Sequence, residues 1–346
     1  MRPKVSAIIA NRNGAEHLRV CLPSLFAQSY QPIEIVVVDN GSSDGSEAVS
    51  REFGARWLPL GRNVGLAPAL NRGAAVATGD LLLFVNNDMR FDREFVSQLA
   101  SALDQDPSAF AADGMQFNWD GTLEGHLATY VARTPCGHMT VEIVPGLFLC
   151  QKSSENPTEV FMASAASMLV RVAFFELLRG FDERLPLSYE DVEICWRAWL
   201  RGWKTVYVPK AVCWHRVGAS SRTTDEKLLL FRGVLRGRLL IATKYLPIRY
   251  ALTTWIVSLS GLVRDTIGAE WGRIPVRWKE IADSASLARR WFREKNDIYE
   301  AARTTPARQL EFFMQMGSAD GAEVPSVELS HPAVVSDDKW TGASSD

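Results

Sequence analysis

Little net charge, few cysteines and no long apolar run mark this chain of 346 residues. The net charge is −2, so bulk charge makes no case for nucleic acid. The five cysteines are Cys21, Cys136, Cys150, Cys195 and Cys213, and none stands at C-x-x-C spacing from another. An odd number argues against a disulfide framework and for reduced thiols in a cytosolic protein. No apolar run approaches the roughly 20 residues of a spanning helix. Met1–Lys4 leads straight into an apolar Val5–Ala10, without the longer apolar core of a signal peptide. There is no internal repeat, and no G-x-G-x-x-G follows the first strand, which speaks against a dinucleotide dehydrogenase. What is present is a globular composition, 47% hydrophobic and 23% charged, enough for one large domain or two ordinary ones.

The most informative stretch is Gly79–Asp88, G-D-L-L-L-F-V-N-N-D. Five apolar residues, Leu81–Val85, end abruptly at Asn86-Asn87-Asp88, as expected of a strand buried on both faces of a parallel sheet. Before it, Val5–Ala10, Ile33–Val38 and Arg56–Leu60 read as strands. Ala15–Ser29, Ser46–Phe53 and Ala67–Ala77 read as helices by their apolar spacing. This β-α-β-α-β-α-β order predicts an α/β domain with a mostly parallel sheet. Further on, the pattern predicts a helix over Asp92–Asp104, a strand over Ala163–Arg171 and a helix over Val172–Leu178. Val192–Arg201 reads as a helix entered from Tyr189-Glu190-Asp191 and closed by Gly202. Thr205–Pro209 and Ala211–His215 read as two short strands.

Acidic residues recur at element ends. Asp39 follows Ile35–Val38 as Asp88 follows Leu81–Val85, and carboxyl ends of parallel strands are where open α/β sheets bind ligands. One such carboxylate can accept hydrogen bonds from a base or ribose, and the other can hold Mg2+ or Mn2+ against a diphosphate. Strand-end Asp and Asn also serve as caps and turn formers, and that reading stays open. Glu190-Asp191 opens a helix, where the helix dipole and free N–H groups stabilise a carboxylate. In a functional reading Asp191 is a general base. A lone His such as His215 is more often structural; as a metal ligand it would join Asp88. Arg216, Ser220, Ser221 and Arg222 follow it as potential phosphate contacts. Trp196, Trp199 and Trp203 read mainly as core, with stacking on a sugar ring as the other use of a tryptophan near such a site.

Together these motifs resemble the family-two inverting glycosyltransferases of GT-A fold, in their rhamnosyltransferase-like branch. The resemblance covers about residues 4–220. It rests on Val5–Ile9 with Asn13-Gly14, then Val36–Gly45, then Asn63–Ala67 with Asn71-Arg72-Gly73, then Asn86-Asn87-Asp88. It continues through Gly180–Glu183, Glu190–Glu193 with Arg197, and His215–Gly218. It implies a nucleotide-diphosphate-sugar donor, dTDP-rhamnose or a UDP-sugar, and a divalent cation, Mg2+ or Mn2+. Asp191 then corresponds to the base, Asp88 and His215 to the metal site, and Asp39 to the nucleobase contact. Donor contacts extend to Asn11, Asn13, Asn63, Gly65, Asn71, Asn87 and Arg216, with Glu190, Asn86 and Ser220 behind them. Two departures stand out. The metal motif is N-N-D rather than D-x-D, and Glu193 occupies a position where Asp is usual. A sugar nucleotidyltransferase is the competing enzyme class, but it needs a Gly-rich basic loop after the first strand, and Asn11–Gly14 has one Gly. A catalytically degenerate binding protein is the third reading, kept open by N-N-D.

The resemblance implies a GT-A catalytic domain over residues 1–221, with a donor half to about 90 and an acceptor half after it. Between Arg222 and Glu300, fifteen Lys and Arg face nine Asp and Glu. Lys227–Tyr245, Arg249–Ile267 and Trp278–Arg293 read as helices. Tyr250–Val263, bracketed by arginines, is too short to span a bilayer but suits a surface helix. Two expectations follow for residues 222–300: they rest on the cytoplasmic face of a membrane, near a polyprenyl-linked or glycan acceptor, or they pack on the catalytic domain or another copy. Residues 301–346 read as a tail, largely disordered from about 317.

Overall fold

The computed structural model describes residues 2–121, 128–133, 140–185, 187–216 and 224–318. The chain runs β1 (Val5–Asn11), α1 (Ala15–Phe26), β2 (Ile33–Asp39), α2 (Ser46–Glu52), β3 (Arg56–Pro59), α3 (Leu66–Val76), β4 (Leu81–Asn86), β5 (Met89–Phe91), α4 (Phe95–Gln105) and β6 (Ala109–Asn118). It continues through β7 (Ala128–Ala132), β8 (Thr140–Val144), β9 (Leu147–Lys152), β10 (Thr158–Val160), β11 (Leu169–Arg171), α5 (Val172–Leu177), α6 (Glu190–Trp199) and β12 (Lys204–His215). Four helices close it: α7 (Thr224–Tyr245), α8 (Ile248–Ile267), α9 (Arg273–Ala301) and α10 (Pro306–Ser318).

The main sheet has the order β10-β12-β6-β11-β4-β1-β2-β3, with β5 paired to β12. The pairs β1·β2, β1·β4, β2·β3 and β6·β12 are parallel, while β11, β10 and β5 run against their neighbours. Its strands are apolar on both faces because both faces are covered. Ala7, Ile9, Val37 and Leu83 pack under α1 and α4, and Ile8, Val36, Val38 and Phe84 pack under α3, α5 and α6. The sequence places β2 and β3 on one side of β1 and β4 on the other. The order reverses there, so a crevice opens at the carboxyl ends of β1 and β4. A smaller antiparallel sheet, β7-β9-β8, lies apart from the main one.

Three expectations need correcting. The predicted strand Ala163–Arg171 forms only at Leu169–Arg171. Upstream of it, the Ser164 N–H and the Ser167 hydroxyl both bond the Asp113 carboxylate, and Ser164–Ser167 closes a turn. The two short strands at the end of the domain are one, Lys204–His215, with an irregularity in its pairing between Val208 and Val212. The tail drawn from residue 301 begins too early. Leu310 and Phe313 of α10 are fully buried, and Phe313 packs edge-on to Phe161 and Trp196 with ring centroids 4.7 and 4.9 Å away. Residues 319–346 lie outside the described residues.

Helix α7 packs on the domain through Leu235, Leu239, Leu240, Ile241 and Tyr245, all buried in the same core as α6. It approaches so closely that a Cβ on Gly237 would sit 2.5 Å from the Tyr189 ring, and one on Gly233 2.1 Å from the Leu187 carbonyl. The 222–300 stretch therefore contributes to the packing around the start of α6.

Candidate active site

The crevice begins with asparagines and serines that bond to one another. Asn87 Nδ2 donates to Asn11 Oδ1 at 2.7 Å, and Asn11 Nδ2 donates to Ser42 Oγ at 3.3 Å. Ser42 N donates to Asp39 Oδ1 at 3.0 Å, and Asn13 fixes the same loop by accepting from Ser43 N at 2.8 Å. These bonds join the ends of β1, β2 and β4 into one polar floor, and Asn11, Asp39 and Asn87 are all buried in it. Gly41, with φ +82°, lets the 39–45 loop touch the 61–65 loop; a Cβ there would lie 2.8 Å from the Arg62 carbonyl carbon. Asn63 accepts from Gly65 N at 3.0 Å, and Asn40 ties that loop back by accepting from Val64 N at 2.7 Å. Asn71 behaves differently. Its amide donates to the Phe181 carbonyl at 2.9 Å and accepts from Phe181 N at 2.9 Å, so it clips α3 to the Gly180–Glu183 turn.

Asp88 follows the end of β4 and is buried, and its Oδ1 lies 3.2 Å from His215 Nε2. The register that pairs Met89 with His215 brings them together from positions far apart in the chain. Arg216 N donates to the Asp88 carbonyl at 3.0 Å, while the Arg216 side chain is exposed. Ser220 lies outside the described residues. Around this point stands an aromatic ladder. The Arg90 guanidinium lies 4.4 Å from the Trp214 ring and 5.2 Å from the Trp119 ring, and Arg216 lies 5.8 Å from the Trp119 ring. The expected tryptophans lie elsewhere: Trp196 is fully buried, and Trp203 stacks on Phe174 with centroids 4.3 Å apart.

A carboxylate and an imidazole 3.2 Å apart, beside neutral Asn86 and Asn87, make a short donor set. Among the described residues no group of three His, Cys, Asp or Glu is arranged to hold a metal ion. The pair fits a hard cation that takes one or two protein ligands and fills its other positions with phosphate oxygens and water.

Asp191 sits in the first turn of α6, half-buried, and accepts from Val192 N at 2.8 Å and from Ala165 N at 3.4 Å. The next residue, Ala166, accepts from Asn86 N at 3.1 Å. One short turn thus joins the Asp191 carboxylate to the strand end that precedes Asp88. Burial pushes the Asp191 pKa up, its two N–H partners pull it back in part, and the Asp113 charge raises it further. Burial and the neighbouring Asp191 charge push Glu190 up to about 8, and its Oε2 has no hydrogen-bond partner among the described residues. The entry to α6 is bent: Ser188 and Tyr189 both have left-handed φ, +71° and +69°. Such backbone is held only by its surroundings. Here Tyr189 Oη donates to the Glu142 carbonyl at 3.0 Å and accepts from Arg238 Nε at 3.3 Å.

Asp113 escaped the sequence reading. Its signal is an acid directly after the apolar run Ala109–Ala112, within β6 and next to Gly114. It shapes the 164–167 turn and contributes to the field at Asp191. Glu193 reaches farther than an Asp would. It accepts from Arg197 Nε at 2.8 Å, Lys244 Nζ at 2.9 Å and Tyr245 Oη at 2.5 Å.

Comparison with known proteins bears on the family and the fold. The model of the family described as "Glycosyl transferase family 2" matches residues 6–176. The N-acetylglucosaminyl-diphospho-decaprenol L-rhamnosyltransferase of Mycobacterium tuberculosis is 28% identical over 234 residues, covering 61% of this chain and 76% of the relative. The crystal structure of GalNAc-T7 with UDP, GalNAc and Mn2+ superposes with a TM-score of 0.62 at 15% identity, over 93% of this chain and 58% of that one. The mannosyltransferase PcManGT from Pyrobaculum calidifontis, in complex with GDP-Man and Mn2+, gives 0.51 at 16% identity, over 92% and 87%. At these identities the two structures bear on the fold alone, and that fold is the GT-A fold.

Proposed function

We propose that this chain, a glycosyltransferase whose residues 6–176 belong to glycosyl transferase family 2, moves a sugar from a nucleoside-diphosphate donor to a hydroxyl of a lipid-linked or glycan acceptor, with inversion. The observation that carries this is the Ala165-Ala166 turn. It holds Asp191 to the end of β4, just before Asp88, and His215 at the end of β12 lies 3.2 Å from that Asp88. A base and a diphosphate site side by side are what a single displacement needs.

The donor's base and ribose occupy the floor between Asp39 and the 61–65 loop, and its diphosphate lies toward Asp88, His215 and Arg216. Asp191 accepts the proton of the acceptor hydroxyl as that oxygen attacks the anomeric carbon. The nucleoside diphosphate departs on the opposite face, so no glycosyl-enzyme intermediate forms. A raised pKa suits this role, because a more basic carboxylate takes the acceptor proton more readily. Asp88 and His215 would hold a Mg2+ or Mn2+ ion, which when bound supplies positive charge to the leaving diphosphate. Arg216 and the basic edge of the Trp119–Trp214 ladder add fixed positive charge beside it. dTDP-rhamnose is the first donor to try, given the rhamnosyltransferase relative, with UDP-sugars next.

A thermal-shift screen of nucleoside diphosphates and their sugars, with and without Mn2+, tests this reading through ligand stabilisation of the native state. A shift confined to one base class supports it. No shift with any nucleotide removes it.

A further inference from the structure

Helix α8 is amphipathic the wrong way round for a helix in water. The residues it buries fully are small or polar, Ala251, Thr254, Ser258, Gly261 and Asp265, while Tyr250 and Trp255 are half-buried against the core in its first turns. Asp265 is paired with Arg277 of α9 at 2.7 Å, and Gly261 gives that arginine room, since a Cβ there would stand 2.4 Å from its guanidinium. The residues it turns outward are large and aliphatic. Ile248, Leu252, Ile256, Leu259, Val263 and Ile267 recur at helical spacing on one face, and all are exposed, Ile256 by 65% and Ile267 by 82%. Trp271 and Trp278, beyond the end of α8, are exposed as well, by 65% and 60%. Single exposed aliphatics need no explanation, but a continuous stripe along about 30 Å of helix does.

The charge around the stripe is one-sided. Arg249 and Arg264 flank it on α8, and Arg273 and Lys279 lie exposed near the tryptophans. The only acid on α8 is Asp265, buried in its pair; the exposed Glu270 beyond it pairs with Arg273 at 3.7 Å. Aliphatic stripe, basic fringe and terminal tryptophans are the composition of a helix lying in the interface of an anionic bilayer. None of the described helices is long and apolar enough to cross a membrane. A two-fold copy laid on the same stripe would set arginines against arginines with no exposed acid on α8 to meet them.

We infer that α8 is a membrane-docking face, seating its aliphatic stripe in the headgroup and acyl boundary of an anionic bilayer with Trp271 and Trp278 at the same level. This goes beyond the transferase reading and stands without it, because it rests on no donor or catalytic residue. It gives the chain a route to lipid-linked substrates that needs no spanning segment.

Flotation of the full chain with phosphatidylcholine vesicles, with and without about a third phosphatidylglycerol, tests it in the absence of nucleotide. The wild-type chain is expected to float with the anionic vesicles and to be released by high salt. Ile256→Glu and Val263→Glu, both outward-facing, are expected to remain in the soluble fraction with an unchanged Tm. Arg264→Gln is expected to bind about fivefold more weakly, the contribution of one basic residue near an anionic surface. A wild-type chain that stays soluble with both vesicle types overturns the inference. So does analytical ultracentrifugation showing a lipid-free dimer that Ile256→Glu dissolves, which would assign the stripe to a second copy.

Discussion

Lys244 Nζ lies 2.9 Å from Glu193 Oε1, and both side chains are closed to solvent. Lys244 belongs to α7 and Glu193 to the helix that presents Asp191, so this pair binds the C-terminal helices to the candidate base. The pair is part of a network: Asp182, Arg184 and Glu294 of α9 close around the same lysine, with Lys244 Nζ 3.3 Å from Asp182 and 3.5 Å from Glu294. Burial alone would push the Glu193 carboxyl up, but the charges of Arg197 and Lys244 outweigh it and hold the group below its ordinary value.

Lys244→Met leaves Glu193 buried with one cation fewer. Removing one partner of a buried pair costs about 3–5 kcal/mol. Urea unfolding is expected to show a loss of that order, with donor turnover falling alongside it. A variant as stable as wild type would mean that Arg197 alone satisfies Glu193.

Asp191→Asn keeps the size of the side chain and removes the base. Transfer is expected to fall by at least about a hundredfold, while donor binding by calorimetry stays near wild type. Wild-type turnover in this variant would exclude Asp191 as the base.

Glu190 contributes one part of the pH dependence of stability. Its folded pKa, about 8, lies above the ordinary carboxylate value, so between the two the folded state holds a proton that the unfolded state has lost. Stability from this group is present at acid pH and is lost as pH rises from about 4 toward 8. Glu190→Gln is expected to remove that slope, so wild-type Tm should decline relative to the variant across the window. Parallel Tm curves from pH 5 to 8 would contradict it.

Asp88→Ala and chelation address the same two-ligand site. Each is expected to weaken donor binding in the presence of Mn2+, and together they should do no more than either alone. Donor affinity untouched by both would take the cation out of the mechanism.

Gly237→Ala places a methyl group 2.5 Å from the Tyr189 ring, too close to fit without a shift of the ring or the helix. Tyr189 holds left-handed backbone at the entry to α6. The variant is expected to lower kcat more than donor KM, because the donor floor belongs to the other half of the domain. Equal effects on both would show that α7 supports the whole domain rather than the catalytic helix.

Local pattern was sufficient as far as the end of β4. Apolar runs ending in Asn and Asp announced β1, β2 and β4, since a parallel sheet covered on both faces demands continuous apolar strands. The same pattern located Asn11, Asp39, Asn87 and Asp88 at strand ends, and strand order then gathered them. Two helices of the C-terminal stretch, α7 and α8, fall close to their apolar patterns, while α9 extends well past Trp278–Arg293 at both ends.

Other features were not local. Whether Ala163–Ser167 becomes a strand depends on Asp113, about fifty residues earlier, which bonds the N–H of Ser164 and the hydroxyl of Ser167. The hydrogen bonds that tie Asn71 to Phe181 are invisible in spacing. The composition of Tyr250–Val263 fixed only that α8 is amphipathic. Which face points inward was decided by Arg277, whose buried pairing with Asp265 turns the small, polar side to the protein and leaves the aliphatic side outside. An amphipathic pattern gives the angle between two faces. Only the partner against which the helix packs decides which of them meets the solvent.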